Sequence, residues 1–253
     1  MLLLGIFLTA IIRHAAAFAA TKPAYIVRIC EHKNCCKQQQ QSEEFRPMIQ
    51  VLRDLMCQTE FQVESSGCLT ECGRGPNISI VDTKGGQETI CTNIDGPISA
   101  ALALKEVTNI DVPKVLLAAC NVMSKALKEG SPAQREKLMN SVIIALEKQE
   151  LERSNAMASA LCIRAEARKL QNKLEECIVD ALQSTSIMAK SNAKAWRLLH
   201  ETYEKTKQYK LAIESLRNWA RVDPFFSTKA MKEVDRIRED QSTRETNQIE
   251  TIC

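Results

Sequence analysis

The sequence predicts an α/β part followed by an all-α part. Six of the eight glycines lie between positions 67 and 96, and seven of the eleven cysteines lie between Cys30 and Cys91. Beyond the stretch Asn109–Pro113 the chain is poor in glycine and rich in Ala, Leu, Lys and Glu. Glycine-rich turns between short β-branched segments are typical of strands, whereas the later composition is typical of helices.

Composition excludes several classes of protein. The chain has 253 residues, 45% hydrophobic and 26% charged, which favours an ordinary globular protein of two domains. Its net charge of +3 is too small for a nucleic-acid-binding surface, and its three histidines leave little room for a histidine-based metal site. An odd count of eleven cysteines leaves one thiol over in any disulfide framework, so metal or cluster ligation must be considered first.

The first residues have the features of a targeting sequence. The apolar segment Leu2–Ile12 is too short to span a bilayer and is followed by three alanines, so we predict a signal peptide over residues 1–17. The alternative is a buried first helix or strand. The junction Ala17-Phe18 resembles that of plastid proteins in algae with secondary plastids, which implies a short transit-like linker over 18–23 and a plastid location. The secretory pathway is the alternative, and no stable membrane span is expected after signal removal.

Residues 24–107 alternate short β-rich segments with helical ones, in the order strand, helix, strand, hairpin, helix. Ser42 and Asp95 are the candidate N-caps of the two helices, and Pro97 fits the first turn of the second. The turn Lys84–Gly86 joins the two hairpin strands. The expected strands are Tyr25–Ile29, Phe61–Glu64, Asn77–Asp82 and Glu88–Thr92, and the expected helices are Glu43–Gln58 and Gly96–Val107.

Four cysteines lie where this α/β unit changes direction. Cys30 and Cys35 follow the first strand, and Cys68 and Cys72 follow the second. Four thiolates are the ligand set of an iron–sulfur cluster, and a zinc site also uses four. Neither pair has the Cys-x2-Cys spacing usual for zinc, and no thioredoxin-type Cys-x-x-Cys motif occurs. The spacing therefore favours a cluster.

These residues resemble a known family. Cys30-Glu-His-Lys-Asn-Cys35, followed by Cys68-Leu-Thr-Glu-Cys72-Gly-Arg-Gly-Pro-Asn-Ile78, resembles the thioredoxin-like [2Fe-2S] ferredoxins, which share their domain with the small iron–sulfur subunit of complex I. The resemblance implies a thioredoxin-like domain over 24–107, with Cys30, Cys35, Cys68 and Cys72 as ligands of the cluster iron and the Gly75-Pro76 turn shielding it. Cys36 is a possible substitute for Cys35. The alternative is the same fold with free thiols and no cluster.

The other cysteines are interpreted as small apolar fillers inside elements, or as an exposed thiol at the terminus. Five of them are expected in helices or strands, namely Cys57, Cys91, Cys120, Cys162 and Cys177, and Cys253 is expected to be exposed.

The all-α part resembles a tetratricopeptide repeat array. One repeat matches well over Ala193–Phe226, with its paired helices expected over Lys194–Lys205 and Tyr209–Val222. Trp196 and Tyr203 are expected in its core. The matching positions are Trp196, Leu199, Tyr203, Tyr209, Ala212, Leu216 and Pro224. An earlier copy with Cys177 at an alanine position and a more degenerate pair, Val115–Glu129 with Pro132–Lys148, would extend the repeats over residues 112–226. The alternative is an unrelated helical bundle.

The end of the chain is expected to close this stack. A capping helix is predicted within residues 227–240, with a charged face towards solvent. The polar segment 241–253 is predicted to be disordered.

No catalytic arrangement stands out, so an electron carrier or a scaffold is favoured over an enzyme. The first hypothesis is an electron-transfer or redox-sensing protein with one [2Fe-2S] cluster, docked to partner proteins by its repeats; its redox partner is not specified by the sequence. The second is a non-catalytic repeat scaffold or assembly factor whose thioredoxin-like domain is structural or only holds the cluster. A thiol enzyme using Cys35 and Cys36 is a third and weaker hypothesis.

Overall fold

The computed structural model describes residues 22–30, 47–56, 60–69, 75–188, 192–223 and 226–252, with side chains up to residue 239. The strands are β1 (Tyr25–Cys30), β2 (Phe61–Ser66), β3 (Ile78–Asp82) and β4 (Glu88–Cys91). The first helices are α1 (Met48–Leu55) and α2 (Pro97–Thr108). The later helices are α3 (Lys114–Lys128), α4 (Pro132–Glu147), α5 (Asn155–Leu170), α6 (Leu174–Ile187), α7 (Ala193–Lys205), α8 (Tyr209–Val222) and α9 (Ser227–Ile252).

The four described strands form one mixed sheet in the order β2-β1-β3-β4. β1 pairs in parallel with β2 and antiparallel with β3, and β3 pairs antiparallel with β4. Val27 and Ile29 on β1 and Ile78 and Ile80 on β3 are buried, as expected for central strands. The coarse prediction of an α/β part followed by a helical part is confirmed.

The observed elements agree with the expected ones except at some ends. β2 extends two residues further than expected, to Ser66, and the hairpin turn has Gly86 in the left-handed region at φ 67°. Asp95 is not the N-cap of α2, because Pro97 occupies the first helical position and Gly96 therefore becomes the cap. Ser99 Oγ accepts from the Gly96 N–H at 3.1 Å and donates to Asp95 Oδ1 at 2.8 Å. The helix expected over Glu43–Gln58 begins only at Met48, with Pro47 as its N-cap, so Ser42, which lies outside the described residues, is not the cap of α1.

The helices α3 to α9 each pack against the next one in the chain, and α5 also contacts both α3 and α7. The turns inside two successive helix pairs are alike. Asn172, between α5 and α6, and Lys207, between α7 and α8, have φ 62° and 60°. In each turn the backbone N–H of the next residue donates to a carbonyl in the last turn of the preceding helix. The Lys173 N–H donates to Arg168 O at 2.9 Å, and the Gln208 N–H donates to Tyr203 O at 2.8 Å. The pairs α5–α6 and α7–α8 therefore have the same local backbone frame.

One hydrophobic core joins the sheet to the helices. Leu52 on α1 and Leu104 on α2 belong to the same buried cluster as Leu116, Met139 and Leu161 on the later helices. The core is thus continuous across the expected boundary at 109–113. Trp196 differs from the expectation of a core residue, since it is only partly buried against its cluster, whereas Tyr203 is 6% exposed.

Polar contacts accompany this junction. Ser159 Oγ on α5 donates to Asp54 Oδ1 on α1 at 2.9 Å, and Gln50 Nε2 donates to Ser159 Oγ at the same distance. Asn155 Nδ2 donates to the backbone oxygen of Arg53 at 3.0 Å. Because Asp54 and Ser159 are buried, these hydrogen bonds stabilise the contact between α1 and α5 and also fix the orientation of α1 on α5.

The last helix departs from the sequence prediction. α9 continues to Ile252 and so includes most of the segment 241–253 that the sequence predicts to be disordered. The segment contains neither glycine nor proline, the two residues that most disfavour a helix. Low hydrophobicity thus misidentified a polar helix as disorder. None of the helices in the described ranges has both the length and the apolar character that crossing a membrane requires.

Candidate functional site

The carboxyl ends of β1 and β2 meet at one edge of the sheet. The two strands are parallel, and Cys30, the last residue of β1, pairs with Ser66, the last residue of β2. Cys68 follows Ser66 by two residues. The sheet therefore brings the first cysteine of each predicted ligand pair to the same edge.

A third segment lies beside Cys30. The Cys30 N–H donates to the backbone oxygen of Asn77 at 3.1 Å, just before β3 begins. The Pro76 carbonyl accepts from the Ile94 N–H at 2.9 Å, and Pro76 and Asn77 are buried. These bonds place the Gly75-Pro76 turn, which was expected to shield the site, directly next to Cys30. The Gly75-Pro76 peptide bond is cis.

The two described cysteines of the predicted site differ in exposure. Cys30 is completely buried, whereas Cys68 is exposed to solvent. A group bound by both would thus extend from the sheet interior to the surface. Cys35, Cys72 and the alternative Cys36 lie outside the described residues.

The remaining described cysteines behave as expected. Cys120, Cys162 and Cys177 are buried inside helices, and Cys91 on β4 is partly buried. Burial raises the pKa of the Cys162 thiol to about 11, and burial followed by the charge of Glu106 raises the pKa of Cys91. Raised pKa values keep the Cys162 and Cys91 thiols protonated at neutral pH, which suits their packing as small apolar side chains. Cys57 and Cys253 lie outside the described residues.

A buried ion network joins α4, α5 and α6, and the sequence analysis did not predict it. Asp180, 1% exposed, accepts from Arg164 Nε and Nη2 at 2.8 and 2.7 Å and from Arg168 Nη1 at 2.9 Å. Arg164 also donates to Asn140 Oδ1 at 2.8 Å. A bidentate arginine fixes the geometry of its carboxylate partner, so the network sets the relative position of these helices.

Glu136 on α4 is the second acid of this network. It accepts from Lys173, Arg168 and Gln171 at 2.8, 3.0 and 2.9 Å. Burial alone would raise the pKa of Glu136, but the three hydrogen bonds outweigh it and hold the pKa at about 2. Each partner lies 32 or more residues away in sequence, so local charge patterns could not reveal the network.

No family model, curated protein or solved structure matches this chain at a significant level, so the arrangement of its own residues carries the functional argument.

Proposed function

We propose that the protein is an electron-transfer or redox-sensing protein whose α/β part holds one [2Fe-2S] cluster. The observation that carries the proposal is the common edge at which Cys30, the Cys68 segment and the buried Asn77 turn meet. The strand order β2-β1-β3-β4, with only β1 and β2 parallel, is also that of a thioredoxin-like domain, which supports the resemblance in sequence.

The donor chemistry fits the cluster. Thiolates are the ligands that iron–sulfur clusters use, and Cys30 and Cys68 present two of them at one edge, with Cys35 and Cys72 as the proposed others. When bound, the cluster would take one electron from a reduced partner and give it to an oxidised one. The buried backbone around Cys30 would exclude water on one side, while the exposed Cys68 would leave the other side open to a redox partner.

We propose further that the helical part is a tetratricopeptide-like array that binds partner proteins. The matching turns at Asn172 and Lys207, 35 residues apart (172 to 207), support a repeated unit. Packing of α5 on both α6 and α7 is the pattern expected when helix pairs stack.

A scaffold or assembly factor is the second candidate. The continuous core and the buried contact between Asp54 and Ser159 favour it, because they attach the α/β part to the stack as one unit. In this function the α/β part would position the array, and electron transfer would not be required.

The deciding experiment is spectroscopic. Protein lacking residues 1–17 is prepared without oxygen, its iron and sulfide are counted, and visible absorption and paramagnetic resonance spectra are recorded before and after reduction. The first candidate predicts two irons, two sulfides and reversible one-electron reduction. A folded protein without iron, or with a cluster that cannot be reduced, would favour the scaffold.

Single cysteine variants identify the ligands. Cys68→Ser is expected to lose iron, and Cys91→Ser, a matched change in the same domain, is expected to retain it because the Cys91 thiol is not among the proposed ligands. Cys36→Ser should leave the spectrum unchanged. Normal iron in Cys68→Ser would contradict the proposed ligand set, and iron loss in Cys36→Ser alone would show that Cys36 and not Cys35 is the ligand.

The plastid location is proposed on the sequence alone, since residues 1–21 lie outside the described ranges. A four-thiolate cluster requires reduced cysteines, which an oxidising secretory compartment disfavours. Residues 1–40 fused to a fluorescent reporter should reach the plastid of an alga with a secondary plastid, and Phe18→Ala should prevent entry. Secretion of the unchanged fusion would contradict the proposal.

A further inference from the structure

A group of side chains of metal-ligating types lies between α7 and α9, far along the chain from Cys30 and Cys68 of the proposed cluster site. His200 and Glu204 are one helical turn apart on α7, and Glu233 comes from α9. α9 is held in place by Ala230, Val234 and Ile237, which are buried in one cluster with Leu216 of α8. The three side chains are thus brought together by the packed part of α9.

The distances suit a small cation. One donor atom from each of His200, Glu204 and Glu233 lies within 4.8 Å of the others, and His200 Nε2 is 3.7 Å from Glu204 Oε2. Zinc binds nitrogen and oxygen ligands at about 2.0–2.2 Å, so two ligands of a tetrahedral site are about 3.4 Å apart. Small side-chain rotations of the two glutamates would shorten the observed separations of up to 4.8 Å to this ligand–ligand distance.

Arg236 already places a positive charge at this point. Its Nη2 lies 2.5 Å from Glu204 Oε1 and 2.6 Å from Glu233 Oε1. One guanidinium faces two carboxylates, so the group retains one negative charge when His200 is neutral. The Arg236 side chain is 43% exposed and can turn into solvent, whereas a divalent cation would neutralise both carboxylates.

We propose that His200, Glu204 and Glu233 bind one Zn²⁺ ion, which displaces the Arg236 guanidinium and fastens α9 to α7. Imidazole and carboxylate are common zinc ligands, and three protein ligands leave a fourth position for water. The ion would stabilise the end of the helical stack. This site shares no residue with the proposed cluster site, so neither proposal depends on the other.

A matched pair of variants separates this site from the thiols, which also bind zinc. Glu204→Gln removes a ligand. Glu201→Gln makes the same change three residues earlier on α7, at a residue paired with Lys169 and Arg197. In equilibrium dialysis of the full chain against zinc chloride, Glu204→Gln should bind one zinc fewer than wild type, or bind it at least about tenfold more weakly. Glu201→Gln should bind like wild type.

Two further measurements guard against misfolding and thiol binding. Arg236→Met removes the competing cation and should raise zinc affinity at this site by about tenfold. With cobalt in place of zinc, the spectrum of wild type minus that of His200→Gln should show visible bands without the intense thiolate charge-transfer absorption. Equal zinc binding by the Glu204→Gln and Glu201→Gln variants, or no gain in affinity in folded Arg236→Met, would overturn the proposal.

Discussion

The helix pairs α5–α6 and α7–α8 share a turn but are held together by different chemistry. When Asn172 is aligned with Lys207, a shift of 35 residues (172 to 207) brings equivalent positions together. Cys177 then matches Ala212, and both are completely buried. The charged positions of the first pair match uncharged ones in the second: Arg164 with Leu199, Arg168 with Tyr203, and Asp180 with Ser215.

This difference shows that one backbone frame accepts two kinds of interior. In α7–α8 these positions are occupied by Leu199 and Tyr203, which belong to an apolar cluster that also includes Cys177 and Ala181 of α6. In α5–α6 the same positions form a buried ion network with Glu136 of α4. Apolar contacts are not directional, whereas bidentate ion pairs fix position, so the network can set the orientation of α4 as well.

The largest effect is expected when the network loses its central acid. Asp180→Ala leaves Arg164 and Arg168 partly buried without their shared carboxylate, so the free energy of unfolding should fall by about 3–5 kcal/mol. Urea denaturation monitored by circular dichroism measures this loss.

The matching control transfers the α7–α8 pattern into α5–α6. Arg164→Leu with Asp180→Ser removes the buried pair together, so the double variant should lose less than half of what Asp180→Ala loses. If the double variant were as unstable as Asp180→Ala, the residues of α7–α8 could not substitute for those of α5–α6, and the two helix pairs would not be structurally equivalent.

The next effect concerns the apolar pair. Leu199→Ala empties a completely buried position and should cost about 2–5 kcal/mol. Trp196→Ala should lower the free energy of unfolding by less than Leu199→Ala does, because Trp196 is only partly buried. A completely buried tryptophan would have the larger effect of the two. A larger loss in Trp196→Ala, measured in the same denaturation experiment, would contradict the packing of this repeat.

The contrast between the two pairs also explains what sequence could predict. The ends of α7 and α8 follow from apolar periodicity, and both helices were expected within a residue of their bounds. Arg164, Arg168 and Asp180 carry charged side chains, which are expected on the surface unless they are paired. Their burial depends on ion-pair partners that the sequence does not identify, so it was missed.

The same limit applies to the candidate sites. The positions of Cys30 and Cys68 at strand ends were predictable, because hydrophobic runs mark where β1 and β2 end. Their common edge depends on parallel pairing, which no local pattern specifies. His200 and Glu233 belong to helices separated by α8, so only tertiary packing brings them together.

Acid should weaken the α5–α6 network in a defined range. The folded pKa of Glu136 is about 2, below its ordinary value of 4.5, so the carboxylate contributes stability above pH 4.5 and loses it as pH falls towards 2. Glu136→Gln should therefore make stability less dependent on pH in this range. Thermal unfolding at a series of pH values tests the difference, and parallel curves for variant and wild type would show that Glu136 is not the responsible acid.

The smallest effect distinguishes the two turns themselves. Lys207 has φ 60°, which costs a residue with a β-carbon roughly 1–2 kcal/mol, whereas Asn172 at φ 62° is of a type that tolerates this region. Glycine at this position removes the strain, but it also raises the conformational entropy of the unfolded chain, which destabilises the folded protein by about 0.4–1 kcal/mol. Lys207→Gly should therefore stabilise the protein by up to about 1 kcal/mol. Asn172→Gly should be neutral or destabilising, since it also removes the oxygen that accepts from Lys205 Nζ at 2.8 Å. Denaturation midpoints that rise equally in both variants would contradict this difference, because the side chains at the two turns would then have the same energetic role.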